Sequence, residues 1–523
     1  MKRWILVALV ALAAVVRAPL LTRQGLWVDE IFSLAMSTGH SLEHPAEEAD
    51  PALGDFVESA GARSAEEWRA YLRHGEEPAG PGRVLRAVRL SDTSPPLYYL
   101  VLWAWTRVLG TSDLALRGLS LALGLGAFPF LLALARRMGG RRAVLPAGLF
   151  LALSPPAVYY GTEGRMYSLL WLCVLACAWA TLRLRFRPDR TSYAVFAASA
   201  AAGFLTHYFF LFVFVPLCAW LWWRPGRAGR ARFAGAIGLV VLALLPWYLQ
   251  VPESLAAWRI TGDWLTWKPH DFRRGSAWLE LALGYLTGGA RDLWGGHRAA
   301  RLLALASFAW LAVVWLVRTR ARGVAGAPLL LLLWLAGALA GPLVFDLARG
   351  TYTVDVPRYA AAGLPAALLL ASVLLARLPR AWRFGLVGLV LLAWTPNLKF
   401  IFEHASRSWC PLREVARGLE PNSDAQHVVI VHSIPSGVLG IARYYRGEAP
   451  LAAWVEQLGQ RSVPASLDEL AAGRSMVHLV RIHEVGAPAP LEDRLRAEAE
   501  LVWEGRRESA AITHFCPLGR PRF

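Results

Sequence analysis

The sequence predicts a polytopic α-helical membrane protein with a C-terminal extracytoplasmic α/β domain. Of its 523 residues, 56% are hydrophobic and 18% are charged, whereas a typical soluble domain carries about a quarter charged residues. Apolar windows of about 20 residues, long enough to cross a bilayer core of about 30 Å, recur along the chain. Twelve such windows lie near residues 4–21, 96–110, 115–135, 143–160, 166–182, 192–206, 208–223, 233–251, 302–317, 328–345, 358–376 and 384–400.

The net charge of +17 is concentrated in short links between these windows. Short arginine-rich loops stay on the cytoplasmic face of a membrane, so the links mark that side and the longer segments lie outside. No basic patch with interleaved aromatic residues is present, which argues against nucleic-acid binding. The basic links are 136–142, 183–190, 224–232, 318–322 and 377–383.

The number of windows conflicts with this topology at one place. If Lys2 and Arg3 stay inside, the windows 96–110 and 115–135 return the chain to the outside, where the basic link 136–142 requires the inside. Either one window does not fully cross, or a further short crossing is hidden there. Because the charged links are the stronger signal, we expect an odd total within the range of about 11 to 13 transmembrane helices.

The first window is predicted to be a retained helix. Met1, Lys2 and Arg3 precede it as in a secretory signal, but it lacks a clean small-x-small cleavage site and Arg17 interrupts its end.

The five cysteines do not define a disulfide pattern. Cys173, Cys177 and Cys218 lie inside apolar windows, where a thiol acts as a small apolar side chain. Cys410 and Cys516 lie in the predicted exported tail, where a disulfide is permitted, and we hypothesise that they pair. Two reactive thiols in the unreduced tail would contradict this pairing.

The predicted outer segments differ in composition. Residues 22–94 are acid-rich and contain a helix predicted from Ser64 to His74. Residues 252–300 are rich in aromatic side chains, which form either an interfacial belt or a wall that gates a lipid or sugar site. These aromatic residues are Trp258, Trp264, Trp267, Trp278, Tyr285 and Trp294.

The tail is predicted to be a small α/β domain. His427 to His432 and Val477 to Ile482 are short β-branched runs typical of buried parallel strands. No phosphate-binding glycine fingerprint follows the first run, so nucleotide binding is not assigned. Helical composition is found near 411–419, 466–473 and 490–499. The predicted domains are a transmembrane domain, 1–400, that includes the outer loops 22–94 and 252–300, and a soluble domain, 401–523.

Two adjacent acids, Asp29 and Glu30, follow the first apolar window by about eight residues. Carboxylates at a bilayer boundary are costly beside hydrocarbon, so they usually face a polar cavity and often take part in chemistry. The alternative is that the pair only begins a solvated loop. The rest of the chain has to decide between the two.

Four further polar clusters lie at predicted outer ends of apolar windows, and each has a structural reading. Paired prolines suit the first turn of a helix, an arginine at a helix entry can anchor at lipid headgroups, and a lone histidine is more often a hydrogen-bonded structural residue. An arginine can equally bind a phosphate through its fixed fork of donors. The clusters are Asp92-Thr93-Ser94-Pro95-Pro96-Leu97-Tyr98-Tyr99, Tyr159 to Tyr167, Thr206-His207-Tyr208 and Asp355-Val356-Pro357-Arg358-Tyr359.

In this order the motifs resemble those of the bacterial GT-C glycosyltransferases, the family 39-like enzymes related to protein O-mannosyltransferases, lipid A aminoarabinose transferases and lipopolysaccharide-core galacturonosyltransferases. The resemblance covers about the first 400 residues. One position departs from the pattern: many relatives have histidine immediately before the paired prolines, and this chain has Ser94. The matching residues are Trp27 to Glu30, Asp92 to Tyr99, Arg117 to Ser120, Ser154-Pro155, Glu163 to Tyr167, Thr206 to Tyr208 and Pro357 to Tyr359.

The resemblance implies an inverting transferase that moves a sugar from a polyprenyl-phosphate donor to a glycan, lipid or protein acceptor. The site would lie on the outer face of the bacterial inner membrane, together with the C-terminal domain. Asp29 is the expected base for the acceptor hydroxyl, Glu30 orients groups or shares that role, and Arg165 and Arg358 hold the departing phosphate. The expected substrate cavity contains Asp92, Tyr98, Glu163, Tyr167, His207 and Tyr359.

The chemistry agrees with this assignment. A polyprenyl phosphate is a good leaving group, so the enzyme mainly needs a base and cations that stabilise developing charge. No cofactor is predicted, because no clustered metal-ligand spacing occurs; a divalent cation near Asp29 has no support from the spacing. The alternative function is a lipid-linked sugar flippase or transporter. Transporters often have repeated halves and spans interrupted at the midplane, and the sequence has neither.

Overall fold

The fold is given by a computed structural model, which describes residues 3–42, 49–59, 61–91, 94–252, 265–266, 268, 272–287, 327–403, 411–455, 469–470, 472–482, 499–507 and 510–517. The chain divides into two compact units. We call them the membrane unit (Met1–Leu21, Arg117–Pro252 and Asp263–Ser406) and the sheet unit (Thr22–Leu116, Glu253–Gly262 and Arg407–Phe523).

The membrane unit is built from helices joined by short turns. Its described helices are Arg3–Arg17, Phe128–Gly139, Arg141–Leu153, Pro155–Tyr160, Tyr167–Phe186, Arg190–Phe204, Leu211–Trp223, Arg230–Tyr248, Arg274–Thr287, Ala327–Arg349, Leu364–Leu375 and Arg380–Glu403. Two more helices, Leu20–Arg23 and Asp113–Gly126, run from one unit into the other. Short 3-10 turns cover Tyr208–Phe210, Thr353–Asp355 and Pro357–Gly363.

Seven helices among the described residues are long and apolar enough to cross a membrane. They are Trp4–Arg23, Asp113–Gly139, Tyr167–Phe186, Arg230–Tyr248, Pro328–Arg349, Pro357–Leu375 and Arg380–Glu403. Their outer surfaces carry exposed apolar side chains such as Val15 (71% exposed) and Leu392 (62%), which suits contact with lipid. The predicted polytopic α-helical fold is confirmed. The predicted window 302–317 lies outside the described residues.

Small residues allow close helix packing in the membrane unit. Gly337 and Gly341 are one turn apart on helix Ala327–Arg349 and face helix Leu211–Trp223. A Cβ atom on Gly337 would lie 2.1 Å from the Phe212 carbonyl oxygen, and one on Gly341 would lie 2.5 Å from the Phe212 ring. This is the small-xxx-small pattern that replaces hydrophobic driving force between helices in lipid.

The sheet unit contains a five-stranded mixed sheet in the order β2-β1-β3-β5-β4. Strand β1 is parallel to β2 and β3, whereas β5 is antiparallel to β3 and β4. The two strands predicted from the sequence are confirmed as β1 and β3, and β1 is buried along almost its whole length. The strands are β1 His427–Ser433, β2 Leu451–Val455, β3 Met476–Ile482, β4 Ala499–Arg507 and β5 Ala510–Pro517.

Helices from residues 22–116 and from the C-terminal tail complete the sheet unit. The predicted helix near 411–419 is confirmed as Leu412–Leu419. Of the predicted helix near 466–473, residues 469–470 and 472–473 are described, and 469–470 are helical. The predicted helix near 490–499 lies outside the described residues except for Ala499, which begins strand β4. The helices are Val28–Ser37, Ala65–Arg69, Pro81–Ser91, Leu97–Leu109, Leu412–Leu419 and Pro435–Tyr444, with 3-10 turns at Pro51–Leu53, Ala70–Leu72 and Glu420–Asn422.

The segment after the first helix packs against the C-terminal sheet. The helix predicted from Ser64 begins there, because Ser64 and Glu67 form a capping box. Its Trp68 is fully buried and donates from Nε1 to the Leu451 carbonyl of β2 at 3.0 Å. Contacts therefore group residues 22–116 with the tail, whereas the predicted domain boundary at residue 400 was drawn along the chain. As a division into functional domains it stays a prediction.

Helix Leu97–Leu109 belongs to the sheet unit over its length. Trp103 donates to the Ala79 carbonyl at 2.7 Å, and Thr106 contacts His74 at 3.0 Å. Thirteen residues span only about 20 Å at 1.5 Å per residue, short of the bilayer core. The window 96–110 thus forms a helix too short for a full crossing. The expected odd total of crossings stays a prediction.

Candidate active site

A bend between two helices positions the loop that carries Glu163 and Arg165. Pro155 starts a new helix directly after Leu153, with Ser154 extended between them. Buried Arg17 crosses this bend and donates to the carbonyls of Leu151 (2.7 Å), Ala152 (2.9 Å) and Ala157 (3.1 Å). Carbonyls at a helix end otherwise lack partners, and in lipid they have no water to bind. Arg17 thus stabilises the support of the site loop.

The loop itself is buried. Glu163 is fully buried and Arg165 is 7% exposed. The Arg165 backbone N–H donates to the Glu163 carbonyl at 2.7 Å, and the Ser120 hydroxyl donates to the Arg165 carbonyl at 3.4 Å. The next helix begins at Tyr167. Main-chain contacts therefore hold an arginine at a helix entry inside the protein.

His207 lies close enough to both predicted phosphate-binding arginines, Arg165 and Arg358, for their charges to act on it. It is 8% exposed, and its Nδ1 accepts the Phe209 N–H at 3.1 Å, which leaves Nε2 to carry the proton. Burial, and then the positive charges of Arg165 and Arg358, lower the pKa of His207 to about 3. His207 is therefore a neutral imidazole on which the charges of two guanidinium groups act.

Aromatic rings surround this histidine. The His207 ring centroid lies 6.4 Å from that of Tyr167 and 6.3 Å from that of Tyr359. Tyr167 also packs at 5.0 Å against Tyr160, and the Arg358 guanidinium lies 6.0 Å from the Tyr359 ring. The structure thus brings together five predicted site residues of the membrane unit: Arg165, Tyr167, His207, Arg358 and Tyr359.

The turn that carries Arg358 is organised by Asp346. This aspartate is fully buried near the end of helix Ala327–Arg349. It accepts hydrogen bonds from the Thr351 hydroxyl (2.7 Å), the Thr353 N–H (2.7 Å) and hydroxyl (2.6 Å), and the Val354 N–H (2.9 Å). On the other side, the Tyr285 hydroxyl donates to the Pro357 carbonyl. Arg358 therefore follows a turn fixed from two directions.

Asp29 and Glu30 lie in the sheet unit, in the first turn of helix Val28–Ser37. Glu30 is fully buried and its Oε2 accepts the Trp27 N–H at 3.2 Å, so it caps the helix start. Asp29 is half-buried, and its carbonyl accepts the Ser33 hydroxyl at 2.8 Å. The structure therefore gives Glu30 an orienting contact and leaves part of the Asp29 side chain accessible to solvent.

The remaining predicted cavity residues are less informative. Tyr98 is fully buried in the sheet unit, with its ring 5.8 Å from that of Tyr99. Asp92 lies outside the described residues, as do Cys410 and the tryptophans 258, 264, 267 and 294. Trp278 is described, and it donates to the Leu339 carbonyl at 3.0 Å. The predicted convergence of Asp29 with Arg165 and Arg358 joins residues of different units and stays a prediction.

Sequence reasoning missed two residues that position the site. Arg17 was noticed only as an interruption of the first window, and Asp346 falls one residue beyond a predicted window. A charged side chain at the end of an apolar span is the signal that could have found both. Among the described residues, no group of three or more histidine, cysteine, aspartate or glutamate side chains could hold a metal ion.

Known proteins resemble the chain in sequence over part of its length and in fold over nearly all of it. Residues 93–249 match the family model described as dolichyl-phosphate-mannose-protein mannosyltransferase. No curated protein matches the chain.

Solved structures of ArnT from Cupriavidus metallidurans share its fold. The apo form has a TM-score of 0.54 at 15% identity and covers 92% of this chain and 95% of that chain. The form bound to undecaprenyl phosphate has a TM-score of 0.55 at 14% identity, with 98% of each chain covered. The mycobacterial arabinofuranosyltransferase AftD gives a TM-score of 0.43 at 15% identity and covers 99% of this chain and 41% of that chain.

The match over residues 93–249 includes the motifs from Pro95 to Tyr208, and the ArnT fold extends from the first helix through the sheet unit. These findings agree with the resemblance drawn from the motifs: residues 93–249 are similar to the protein mannosyltransferase family, and the chain shares the fold of ArnT.

Proposed function

We propose that the chain is an inverting glycosyltransferase that moves a sugar from a polyprenyl-phosphate donor to an acceptor at the outer face of the cytoplasmic membrane. The observation that carries this proposal is the pair of guanidinium groups whose charges act on His207, with the Tyr359 ring 6.0 Å from the Arg358 guanidinium and 6.3 Å from the His207 ring. A buried arginine, Arg165, and a half-buried one, Arg358, beside aromatic rings suit the phosphate of a lipid donor, because an arginine binds phosphate through several parallel hydrogen bonds. The ArnT structure with undecaprenyl phosphate supports the same donor class.

The neutral state of His207 contributes to this role. A protonated imidazole would repel both arginines, whereas a neutral ring with its proton on Nε2 donates one hydrogen bond without further charge. As the sugar leaves the phosphate, negative charge develops on the phosphate oxygens. Fixed donors that point at this charge stabilise the transition state more than the ground state.

Asp29 is the proposed base. It takes the proton of the acceptor hydroxyl as that oxygen attacks the anomeric carbon, and the bond from the anomeric carbon to the phosphate oxygen breaks on the opposite face. Inversion of the anomeric centre follows from this single displacement. Glu30 acts by holding the helix start, because its carboxylate is bound to the Trp27 N–H.

The test of the base is Asp29→Asn, which keeps shape and removes the charge. We expect transfer to fall by about 10²–10⁴-fold, the contribution of a general base, with binding of undecaprenyl phosphate unchanged. Glu67→Gln is the matched control, since Glu67 is also in the first turn of a sheet-unit helix. Transfer that survives Asp29→Asn rules out Asp29 as the base. Lipid movement without any transfer by the unaltered chain favours the flippase.

The test of the donor site is Arg358→Gln, and separately Arg165→Gln. Each removes one charged donor group, so we expect undecaprenyl phosphate to bind about tenfold or more weakly. Arg190→Gln, at an exposed helix start elsewhere in the membrane unit, is the control. Equal affinity in all three variants would contradict phosphate binding by this pair.

A further inference from the structure

A second cluster of arginines surrounds a cavity inside the sheet unit. The cavity has a volume of about 300 Å³ and adjoins another of about 360 Å³, and Arg69, Arg73, Arg443 and Tyr444 line both. The first part also contacts Thr111, Ser112 and Asp113, and the second contacts Arg417, Glu420 and Arg446. No residue of the proposed transfer site lines either part.

Protein contacts fix part of this wall. The Arg69 guanidinium donates to the Ala442 carbonyl at 2.7 Å, to the Tyr445 carbonyl and to Glu66 at 2.9 Å. Arg443 donates to Asp113 at 2.9 Å and to the Thr111 carbonyl at 2.6 Å. These two arginines cannot turn away from the cavity without breaking several hydrogen bonds.

Two other arginines that line the cavity are exposed. They are Arg417 and Arg446, and within the described part of the chain their guanidinium groups make no hydrogen bond or ion pair. The nearby Glu420 accepts the Arg446 backbone N–H at 3.2 Å instead. Both guanidinium groups at this rim can therefore turn toward a ligand.

The charges around the cavity do not cancel. Counting the lining residues together with their ion-pair partners Glu66 and Arg413 gives six arginines against three carboxylates, hence a net charge of +3. Two of the carboxylates, Glu66 and Asp113, each bind two arginines. Helix Asp113–Gly126, whose first turn is capped by Ser112, adds the positive end of its dipole.

The size of the cavity limits the ligand. Its two parts are at the lower end of the range of about 300–1,000 Å³ for small-molecule sites, enough for one sugar unit with its substituent. A phosphate monoester carries a charge of about −1.5 to −2 and three strong acceptor oxygens. Its charge and its acceptors match the cationic wall and the two mobile guanidinium groups.

A lipid source is within reach. Helix Leu97–Leu109 ends two residues before the lining residue Thr111, and three apolar side chains near Thr111 in the sequence are exposed: Val108 is 80% exposed, Leu109 53% and Leu114 53%. Such a patch suits contact with lipid rather than water. The phosphorylated sugar could therefore be carried on a lipid or be a soluble sugar phosphate.

We propose that this arginine cavity of the sheet unit is a binding site for a phosphorylated sugar, distinct from the donor-phosphate site of the membrane unit. The site is assigned by its own charge and shape, so it does not depend on the proposed transfer reaction. Arg69 and Arg443 form its fixed wall, and Arg417 and Arg446 close on the phosphate.

The test uses the full-length chain in phosphatidylcholine nanodiscs and measures the binding of glucose phosphate by calorimetry, with glucose and inorganic phosphate for comparison. We expect glucose phosphate to bind more tightly than either. The double variant Arg417→Gln with Arg446→Gln should bind it at least about tenfold more weakly, because two charged hydrogen-bond donors are lost. Both residues are exposed, so unchanged thermal unfolding checks that the variant folds.

The control is Arg187→Gln with Arg190→Gln, which changes the charge equally at exposed positions of the membrane unit. An equal loss of binding in the control, or glucose phosphate binding no tighter than glucose, overturns the proposal. Nanodiscs that also contain phosphatidylinositol phosphate identify the source. Weaker apparent binding of glucose phosphate there supports a lipid-borne ligand, and unchanged binding supports a soluble one.

Discussion

In each unit of the molecule two arginines act on one central side chain, and that side chain differs between the units. In the sheet unit Arg413 and Arg443 meet at Asp113, with N–O distances of 2.5 and 2.8 Å. The Tyr444 hydroxyl donates to the same carboxylate at 2.7 Å. In the membrane unit the positive charges of Arg165 and Arg358 both act on His207, which is neutral.

The difference indicates two purposes for the same residue type. A carboxylate cancels much of the charge of two arginines and joins three chain segments, here the tail residues 413 and 443–444 and the helix start at 113. A neutral imidazole joins its neighbours without adding negative charge. The first arrangement suits stability, and the second suits the binding of an anion.

Asp113→Asn should destabilise the sheet unit strongly. The carboxylate and its two arginines are only 11–14% exposed, and removing one partner of a buried ion pair costs about 3–5 kcal/mol. The measurement is the free energy of unfolding in denaturant. As a control, Glu403→Gln breaks the exposed pair with Lys399 at 3.7 Å, which should cost under about 1 kcal/mol. Similar losses of unfolding free energy in the two variants would contradict a structural role for the ion pairs of Asp113.

Arg17→Lys should destabilise the membrane unit by about 1.5–3 kcal/mol, the value of a hydrogen bond from a charged group. An ammonium cannot reproduce the fork that binds three carbonyls on two helices. The measurement is thermal unfolding together with transfer at saturating and limiting donor. Stability and donor dependence both equal to those of the unaltered chain would contradict a positioning role.

Asp346→Asn should cost about 1–3 kcal/mol, because one oxygen that accepts the Val354 N–H or the Thr353 groups becomes a donor. Through the turn before Arg358 it should also weaken undecaprenyl phosphate binding more than it slows the chemical step. Thr351→Val, which loses one hydroxyl contact of Asp346, is the milder comparison. A variant with weakened folding and unaltered donor affinity would show that the turn does not position Arg358.

His207→Gln should change how stability depends on pH. The pKa of His207 is lowered from 6.5 to about 3 in the folded chain, so the folded state binds fewer protons than the unfolded state between these values. Its contribution to stability is complete above pH 6.5 and is lost as the pH falls toward 3. The variant should therefore lose less stability over this range, as measured by unfolding at each pH. Parallel curves would contradict a neutral His207.

His40 provides a comparison with His207 from the sheet unit. Burial lowers the pKa of His40 to about 4, and its Nδ1 contacts the Gly54 carbonyl at 2.7 Å. His40→Gln should flatten the same kind of acid-side loss over the narrower window from 6.5 to about 4, and it should leave binding of undecaprenyl phosphate unchanged, unlike changes at His207.

Much of the candidate site could be predicted because its residues lie in short ordered motifs at the ends of apolar spans. Arg165, His207 and Arg358 were found in this way, although 193 positions separate the first from the last. Only the packing of the helices brings these three residues into one site. The arginine cavity of the sheet unit was not predictable, because its arginines come from three segments far apart in the sequence, around Arg69, Arg417 and Arg443 to Arg446.

By itself the sequence determined the polytopic helical membrane class and the first and third strands of the tail. These properties depend on local composition, on charge beside a bilayer and on β-branched runs, which neighbouring residues along the chain decide. Only the tertiary structure decided that helix Leu97–Leu109 packs in the sheet unit, that Arg17 binds three carbonyls beyond its own helix, and that His207 stays neutral. Each of these depends on burial and on charges brought close from distant parts of the chain, which no local pattern records.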